Sequence, residues 1–246
     1  MAAYALITGA SGGLARALAR RLRAQQWRLV LVSRHLDALH PESEDDVLIE
    51  ADVSQPDGAK LVFDSLQERC GAPPKALAHC AGSTLIAPIH RTTDALYREV
   101  LTANLDSAFF TLRAYIQSCL DAKLAGAAVL VSSAAARIGV PNHEAIAAAK
   151  GGIEALVRSA AATYCSKGIR VNAVAPGLMR TPMTERMFVA NAEKSITAQY
   201  PLGRYGTGDD GASAIAWLLS EEASWVTGQI IPVDGGLSAV RPVVKP

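Results

Sequence analysis

The sequence has little of what directs a protein to a membrane or to a nucleic acid. No apolar run reaches the ~20 residues that a membrane-spanning helix needs. The 24 lysines and arginines nearly balance the 23 aspartates and glutamates, and the formal net charge is only +1. Such a balance provides no attraction to nucleic acid or to an anionic membrane surface. We therefore expect a small-molecule substrate as the partner, with neither nucleic acid nor membrane.

Cysteine is also scarce, and its spacing matches none of the common metal motifs. The four cysteines, Cys70, Cys80, Cys119 and Cys165, form no CxxC pair and no Cys/His cluster. We predict free thiols in a reducing cytoplasm and no metal site. A strand predicted at residues 4–7 leaves no room for a signal peptide, which also favours a cytoplasmic location.

Short apolar runs alternate with helix-length segments along the whole chain. Continuous apolar runs are typical of parallel strands that are covered on both faces. They predict strands at 4–7, 29–32, 47–49, 76–78, 129–131, 171–174 and 230–233, with helices at about 57–70, 93–120, 146–165 and 209–220. No repeat and no flexible linker interrupts this pattern. It therefore predicts a single doubly wound α/β domain of Rossmann type over residues 1–246, with a seven-stranded parallel sheet.

One long segment departs from this alternation. Residues 179–204 lack a strong strand pattern and contain Pro182, Pro201 and Gly203. We predict that this segment forms a lid over the site and carries substrate-specific residues. Tyr200 could then approach the site only when the lid closes.

A glycine-rich turn follows the first predicted strand and opens the first helix. It reads Thr8-Gly9-Ala10-Ser11-Gly12-Gly13-Leu14-Ala15. Glycines in this position allow a tight turn and a close approach of the backbone to a pyrophosphate, which the free N–H groups of the helix stabilise. The turn predicts a dinucleotide cofactor bound by Gly9, Ser11, Gly12, Gly13 and Leu14.

The end of the second predicted strand bears on the choice of cofactor. It reads Val32-Ser33-Arg34, without the acidic residue that holds the ribose 2′-hydroxyl of NAD in Rossmann-type sites. An arginine in this place accommodates the 2′-phosphate of NADP. Ser33 and Arg34 therefore predict NADP(H), with NAD(H) less favoured.

From the glycine-rich turn to Val233-Asp234-Gly235-Gly236, the sequence resembles the short-chain dehydrogenase/reductases. The family pattern Thr-Gly-x-x-x-Gly-x-Gly is matched except for Ala15 at the third glycine. The resemblance implies that Asp52 and Val53 lie beside the adenine ring. It also implies that Ala81-Gly82 belongs to the cofactor site, and that the segment Pro176-Gly177-x-x-x-Thr181 meets the nicotinamide carboxamide. His79, which departs from the family pattern, is expected to be a hydrogen-bonded residue at a strand end.

The same resemblance implies the catalytic positions. Asn104, Ser133 and Lys150 match three members of the family's tetrad, but the Tyr-x-x-x-Lys motif reads Ile146-Ala147-Ala148-Ala149-Lys150. By resemblance, Ser133 hydrogen-bonds the substrate oxygen, Lys150 binds the cofactor ribose, and Asn104 helps to order water near Lys150. Isoleucine cannot exchange a proton, and a general acid contributes ~10²–10⁴ in rate.

Four hypotheses for Ile146 remain open. His143, which precedes Lys150 by the seven-residue spacing of the Tyr-x₆-Lys motif in divergent enoyl reductases, could supply the proton. Water or the substrate itself could supply it instead. The chain could bind NADP(H) without turnover, as a redox sensor or an oligomer subunit. Finally, Lys150 or Ser133 could support a non-redox reaction such as dehydration.

We predict an NADP(H)-dependent oxidoreductase that acts on a small or medium apolar carbonyl or activated alkene at an atypical active site. A cofactor-binding protein without turnover is the alternative. The resemblance further implies a homodimer or homotetramer that associates through the helices predicted at 93–120 and 146–165.

Overall fold

The computed structural model describes residues 4–39, 41–188 and 193–241. Within these ranges the strands are β1 (Tyr4–Thr8), β2 (Arg28–Ser33), β3 (Val47–Glu50), β4 (Ala76–His79), β5 (Gly126–Val131), β6 (Ile169–Pro176), β7 (Met179–Arg180), β8 (Gly206–Thr207) and β9 (Ile230–Val233). Seven of them form a parallel sheet in the order β3-β2-β1-β4-β5-β6-β9, and β7 pairs separately with β8. The chain reverses its direction of winding between β1 and β4. Ligands of open α/β sheets bind at such a switch point, outside the carboxyl ends of the strands.

The helices cover both faces of this sheet. They are α1 (Gly13–Ala24), α2 (Pro56–Cys70), α3 (Asp94–Leu101), α4 (Ser107–Ala122), α5 (Glu144–Tyr164), α6 (Glu193–Thr197) and α7 (Gly208–Leu219). Side chains of α1 and α7 fill one core, and those of α2, α4 and α5 fill the other. Leu6 and Ile7, neighbours on β1, belong to different cores. This two-sided burial explains why the strands read as continuous apolar runs.

The structure confirms the predicted fold, a single Rossmann-like α/β domain with a seven-stranded parallel sheet. It differs from the sequence prediction within the helix expected at 93–120. There, α3 and α4 are separated by a π-helical turn at Thr102–Asp106. The Asn104 side-chain amide donates a hydrogen bond to the Val100 carbonyl at 2.9 Å, and Ser107 Oγ donates to the Ala103 carbonyl at 2.8 Å. Side chains that bond to the helix backbone in this way favour such local widening.

The segment predicted to form a lid contains β7 and α6, and its residues 189–192 lie outside the described part of the chain. Among the helices that the structure describes, none is long and apolar enough to cross a membrane.

Candidate active site

A cavity of about 600 Å³ lies at the carboxyl ends of the central strands. Its walls come from the loops after β1, β4, β5 and β6, from the start of α5, and from the segment 179–204. Twelve of the sequence-predicted site residues line it: Gly9, Gly12, Gly13, Leu14, Gly82, Asn104, Ser133, His143, Lys150, Pro176, Gly177 and Thr181. The structure therefore brings together the glycine-rich turn and the three matched catalytic positions.

The other predicted cofactor residues do not line this cavity: Ser11, Ser33, Arg34, Asp52, Val53 and Ala81. Ser33 is the last residue of β2, and Asp52 and Val53 follow β3, so they lie along the same edge of the sheet as the cavity. This is the course that a dinucleotide takes when its nicotinamide end occupies the switch point.

The glycine-rich turn offers a place for an anion. Gly9 has a φ of +62°, and a Cβ there would lie 2.7 Å from the Ala81 backbone, so only glycine fits this turn. The N-terminus of α1 follows at Gly13, with no side-chain cap on Gly12 and no acidic residue in the first turn. Thr181 packs directly over it, since a Cβ on Gly13 would lie 3.0 Å from the Thr181 Cβ. An uncapped helix N-terminus with close backbone approach suits a pyrophosphate.

The corner at the end of β2 holds charges of both signs. Arg34 is exposed, and Arg16 reaches from α1 to donate a hydrogen bond to the Ala38 carbonyl at 3.1 Å. Glu50, the partner of Ser33 in the β2–β3 register, accepts a hydrogen bond from the Leu36 N–H at 3.1 Å. Neither Arg16 nor Glu50 was among the sequence-predicted site residues, because each lies on an element outside the local β2 motif.

Lys150 forms the buried cationic centre of the cavity. Its ammonium donates a hydrogen bond to the Val131 carbonyl at 2.8 Å. Burial lowers the pKa of Lys150 to about 8, and the nearby Cys80 opposes this only in part. A Cβ on Gly82 would lie 2.7 Å from Asn104 Oδ1 and 3.4 Å from Lys150 Nζ. The Asn104 amide and the Lys150 ammonium therefore converge over a residue that has no side chain.

Asn104 is held by a network that fixes its amide. Its Nδ2 donates to the Val100 carbonyl and, at 3.1 Å, to Ser83 Oγ, while its Oδ1 accepts from the Ser83 N–H at 3.3 Å. Ser83 also lines the cavity, and the sequence analysis did not identify it. Asn104 lies on the π-helical turn, and these bonds connect it to the loop after β4.

Ser133 lies just beyond β5, which ends at Val131, the predicted end of this strand. Its Oγ accepts a hydrogen bond from the Ala135 N–H at 3.1 Å, so its own proton remains available to donate. The neighbouring Ser132 donates to Glu154 Oε1 at 3.0 Å. That bond ties the end of β5 to α5, the helix that carries Lys150.

Ile146 lies one turn before Lys150 on α5 and lines the same cavity. Only 4% of its surface is exposed, and it packs in a small apolar cluster with Val100, Ala145 and Ala149. The wall of the cavity at this position is hydrocarbon, which can neither donate nor accept a proton.

Two histidines near the cavity have different surroundings. His143 precedes α5, and its Nδ1 donates to the Pro141 carbonyl at 2.7 Å, which leaves Nε2 free of that bond. His79 is buried, with Thr8 Oγ1 2.9 Å from its Nδ1 and Ser107 Oγ 3.1 Å from its Nε2. Burial lowers the pKa of His79 to about 3 and keeps the ring neutral. The expected hydrogen-bonded strand-end role of His79 is confirmed.

The largest set of lining residues that sequence reasoning missed is apolar. Met179, Met183 and Met187 all line the cavity, and they are the only methionines of the sequence besides Met1. Their regular four-residue spacing was the available signal. Tyr200 also lines the cavity, and its hydroxyl accepts a hydrogen bond from the Leu178 N–H at 2.7 Å. Tyr200 is therefore at the site in this structure.

Comparison with known proteins decides the family. The family model described as enoyl-(acyl carrier protein) reductase matches residues 9–238, nearly the whole chain. The chain belongs to the short-chain dehydrogenase/reductase family. A cis-4-hydroxycyclohexanecarboxylate dehydrogenase of Sinomonas cyclohexanicum is 34% identical over 242 residues, which cover 96% of this chain and 96% of that protein.

Two further dehydrogenase relatives bear on the comparison. A Xanthobacter autotrophicus protein named inactive 2-(S)-hydroxypropyl-CoM dehydrogenase 2 is 35% identical over 178 residues, covering 70% of this chain and 77% of that protein. The ligand-free aldohexose dehydrogenase of Thermoplasma acidophilum superposes with a TM-score of 0.90 at 28% identity, over 100% of this chain and 97% of that one. The chain is thus an oxidoreductase of short-chain dehydrogenase/reductase type, a family that uses nicotinamide cofactors, and its uncapped glycine-rich helix start fits such a group.

Proposed function

We propose that this chain is an NADP(H)-dependent oxidoreductase that acts on a carbonyl or an activated alkene, at an atypical active site without a tyrosine acid. The observation that carries the proposal is the shared cavity, which the glycine-rich turn, Thr181, Ser133 and Lys150 all line. A cofactor-binding element and hydrogen-bond donors for a substrate oxygen therefore lie within reach of one small molecule.

The residues have complementary tasks in this proposal. Gly9, Gly12 and Gly13 with the start of α1 hold the pyrophosphate, and Thr181 and Lys150 hold the nicotinamide end. When bound, the nicotinamide supplies or accepts a hydride. Ser133 donates its hydroxyl proton in a hydrogen bond to the substrate oxygen, and the Lys150 ammonium stabilises negative charge that develops near it. Asn104, with its amide fixed by Ser83, orders water beside Lys150.

The proton is proposed to come from His143. Its Nδ1–H is engaged by the Pro141 carbonyl at 2.7 Å, so Nε2 is the nitrogen that exchanges a proton with the cavity, directly or through one water. His143 lines the cavity, whereas the buried His79 has both nitrogens engaged. The geometry therefore favours His143 among the histidines near the site.

The test is NADPH consumption over a panel of ketones, quinones and enones. We expect turnover by the wild type and a loss of about 100-fold in kcat for His143→Gln, the lower end of what a general acid contributes. His90→Gln, at an exposed histidine outside the cavity, is the matched control and should leave kcat unchanged. Equal kcat for the wild type and His143→Gln would remove His143 from the mechanism and assign the proton to solvent or substrate.

The preference for NADP(H) is proposed from the corner at the end of β2. Ser33 ends the strand without an acid, and Arg34 is exposed there, while the Glu50 carboxylate is engaged by the Leu36 N–H.

We expect Arg34→Ala to weaken NADPH binding by about 10-fold through loss of one charge-assisted hydrogen bond, and NADH binding by less than about twofold. Fluorescence titration measures both dissociation constants. Arg21→Ala, at an exposed position in the last turn of α1, is the control. Tighter binding of NADH than NADPH by the wild type would overturn the assignment.

Binding without turnover is the second candidate. Two observations favour it: the hydrocarbon surface of Ile146 at the wall beside Lys150, and the word "inactive" in the name of the Xanthobacter relative. In that case NADPH titrates with a measurable dissociation constant, but no member of the panel is consumed. The same pair of measurements therefore separates the two functions.

A further inference from the structure

The cavity combines a few polar groups with an extensive apolar wall. The polar side chains come from the loops after β4 and β5, from the π-helical turn, from α5 and from the segment 179–204, which includes Thr181, Thr184, Gln199 and Tyr200. Large apolar side chains come from four separate parts of the chain and include Ile138, Ile146, Met183, Met187, Ile196 and Leu237. A substrate in the cavity would therefore contact hydrocarbon from several parts of the chain.

The lining of the cavity contains few charged side chains. Among the described residues that line it there is no arginine, aspartate or glutamate, and the basic groups are Lys150 and His143. Lys150 is committed to the Val131 carbonyl and, in the proposed function, to the cofactor. An anionic group on a substrate would therefore be desolvated here without a dedicated cation, which is strongly unfavourable.

Two arginines of the segment 179–204 are paired with carboxylates. Arg180 donates to Glu185 at 2.7 Å and packs against the rings of Phe188 and Tyr205. Arg204 donates to both carboxylate oxygens of Asp210, at 2.8 and 2.7 Å. Each guanidinium is neutralised by a carboxylate away from the cavity lining, so neither is available to a substrate carboxylate or phosphate.

The methionines let the cavity accept ligands of different shape while it still selects them by charge. Methionine has an unbranched, flexible thioether side chain that fills irregular gaps and adapts to its neighbours. Met183 is half exposed, and Met187 and Ile196 are partly buried. Their side chains can therefore rearrange around ligands of different outline without a change in polarity.

We propose that the cavity selects neutral, apolar ketones or enones and rejects anionic ones, and that Met183 and Met187 determine this selectivity. The inference rests on the proposed function, because it takes this cavity as the substrate site of that reaction. It names the class of substrate for that site and assigns a role to two residues outside the catalytic positions.

The test compares two molecules that share a skeleton and differ in charge, methyl 4-oxocyclohexanecarboxylate and 4-oxocyclohexanecarboxylate. With NADPH, we expect kcat/KM to favour the ester by at least about 100-fold. Without NADPH, the ester should raise the melting temperature of the wild-type protein, and the acid at equal concentration should not. Equal kcat/KM values, or equal thermal shifts, would overturn the inference.

Substitution of the methionine wall provides the second arm. Met187→Arg places a cation on the wall and should reduce the preference for the ester by at least about 10-fold. Met187→Leu is the matched neutral control and should retain the preference. If Met187→Arg does not fold, Met183→Arg takes its place, because the half-exposed Met183 tolerates a charge. An arginine variant that folds and keeps the full ester preference would refute the role of the methionines.

The two arms separate this inference from the proposed function. If neither molecule is reduced but only the ester raises the melting temperature, the selectivity stands and the proposed oxidoreductase activity falls. If both are reduced equally well, the activity stands and the selectivity falls. If neither molecule is reduced and neither shifts the melting temperature, the inference is refuted.

Discussion

Ile146→Tyr is expected to raise kcat for ketone reduction with NADPH by about 100-fold. The new phenol would extend from the cavity wall one turn before Lys150 on α5. The Lys150 ammonium lowers the pKa of a neighbouring acid, and a positioned general acid contributes ~10²–10⁴ in rate. The gain falls in the lower part of that range because, in the proposed function, His143 already supplies part of the effect. Steady-state kcat for the best ketone of the panel measures it.

Ile146→Phe is the matched control for that gain. Phenylalanine adds the same ring without the hydroxyl, so it tests packing alone. Because Ile146 is 4% exposed, either ring costs about 1–3 kcal/mol of unfolding free energy by overpacking. The phenylalanine variant should share this destabilisation and show no rise in kcat. A rise of equal size in both variants would assign the effect to the shape of the cavity and contradict the role of an acid.

Lys150→Met should lower kcat/KM by about 10³-fold. The substitution removes the buried ammonium that is proposed to hold the nicotinamide end and to stabilise charge near Ser133. Loss of one such group lowers the rate by ~10²–10³, and weaker cofactor binding would lower kcat/KM further. Lys167→Met, at an exposed lysine outside the cavity, is the control. Activity of Lys150→Met within 10-fold of the wild type would exclude Lys150 from the chemistry.

The same substitution should stabilise the folded protein. Burial lowers the pKa of Lys150 from its usual 10.5 to about 8, which corresponds to a cost of about 3 kcal/mol for the charged form in the folded state. The substitution also removes the hydrogen bond to the Val131 carbonyl, which lowers the free energy of unfolding by about 1 kcal/mol. We therefore expect Lys150→Met to be about 2 kcal/mol more stable than the wild type at pH 7, measured by urea unfolding.

This stability difference should depend on pH in one direction. Below pH 8, Lys150 is charged in both the folded and the unfolded states, and the full cost is present. Between pH 8 and 10.5, the unfolded chain binds more protons than the folded one, so the wild type gains stability relative to Lys150→Met. The advantage of the variant should shrink across this window. A constant or growing advantage would contradict the depressed pKa.

The sequence by itself determined the architecture and the glycine-rich turn. Apolar runs such as β1 and β6 must be covered on both faces, which leaves few arrangements other than a parallel sheet between two layers of helices. The glycine-rich turn was readable because its function is local: Gly9 needs a positive φ, and the start of α1 must be free of a side-chain cap. Ser133 and Lys150 were recognised through the resemblance to the family, from their spacing to Ile146.

Only the tertiary structure decided which side chains line the cavity. Met183, Met187, Ile196 and Leu237 come from the segment 179–204 and the region after β9, yet they share one cavity with Ile146. The widening of the helix at Asn104 depends on a hydrogen bond to Val100 that a regular helix pattern does not predict. The pKa of Lys150 depends on how many atoms of other elements exclude water from it. Burial, charge pairing and convergence at a cavity are relations between distant segments, whereas strand and turn patterns are relations between neighbours in the chain.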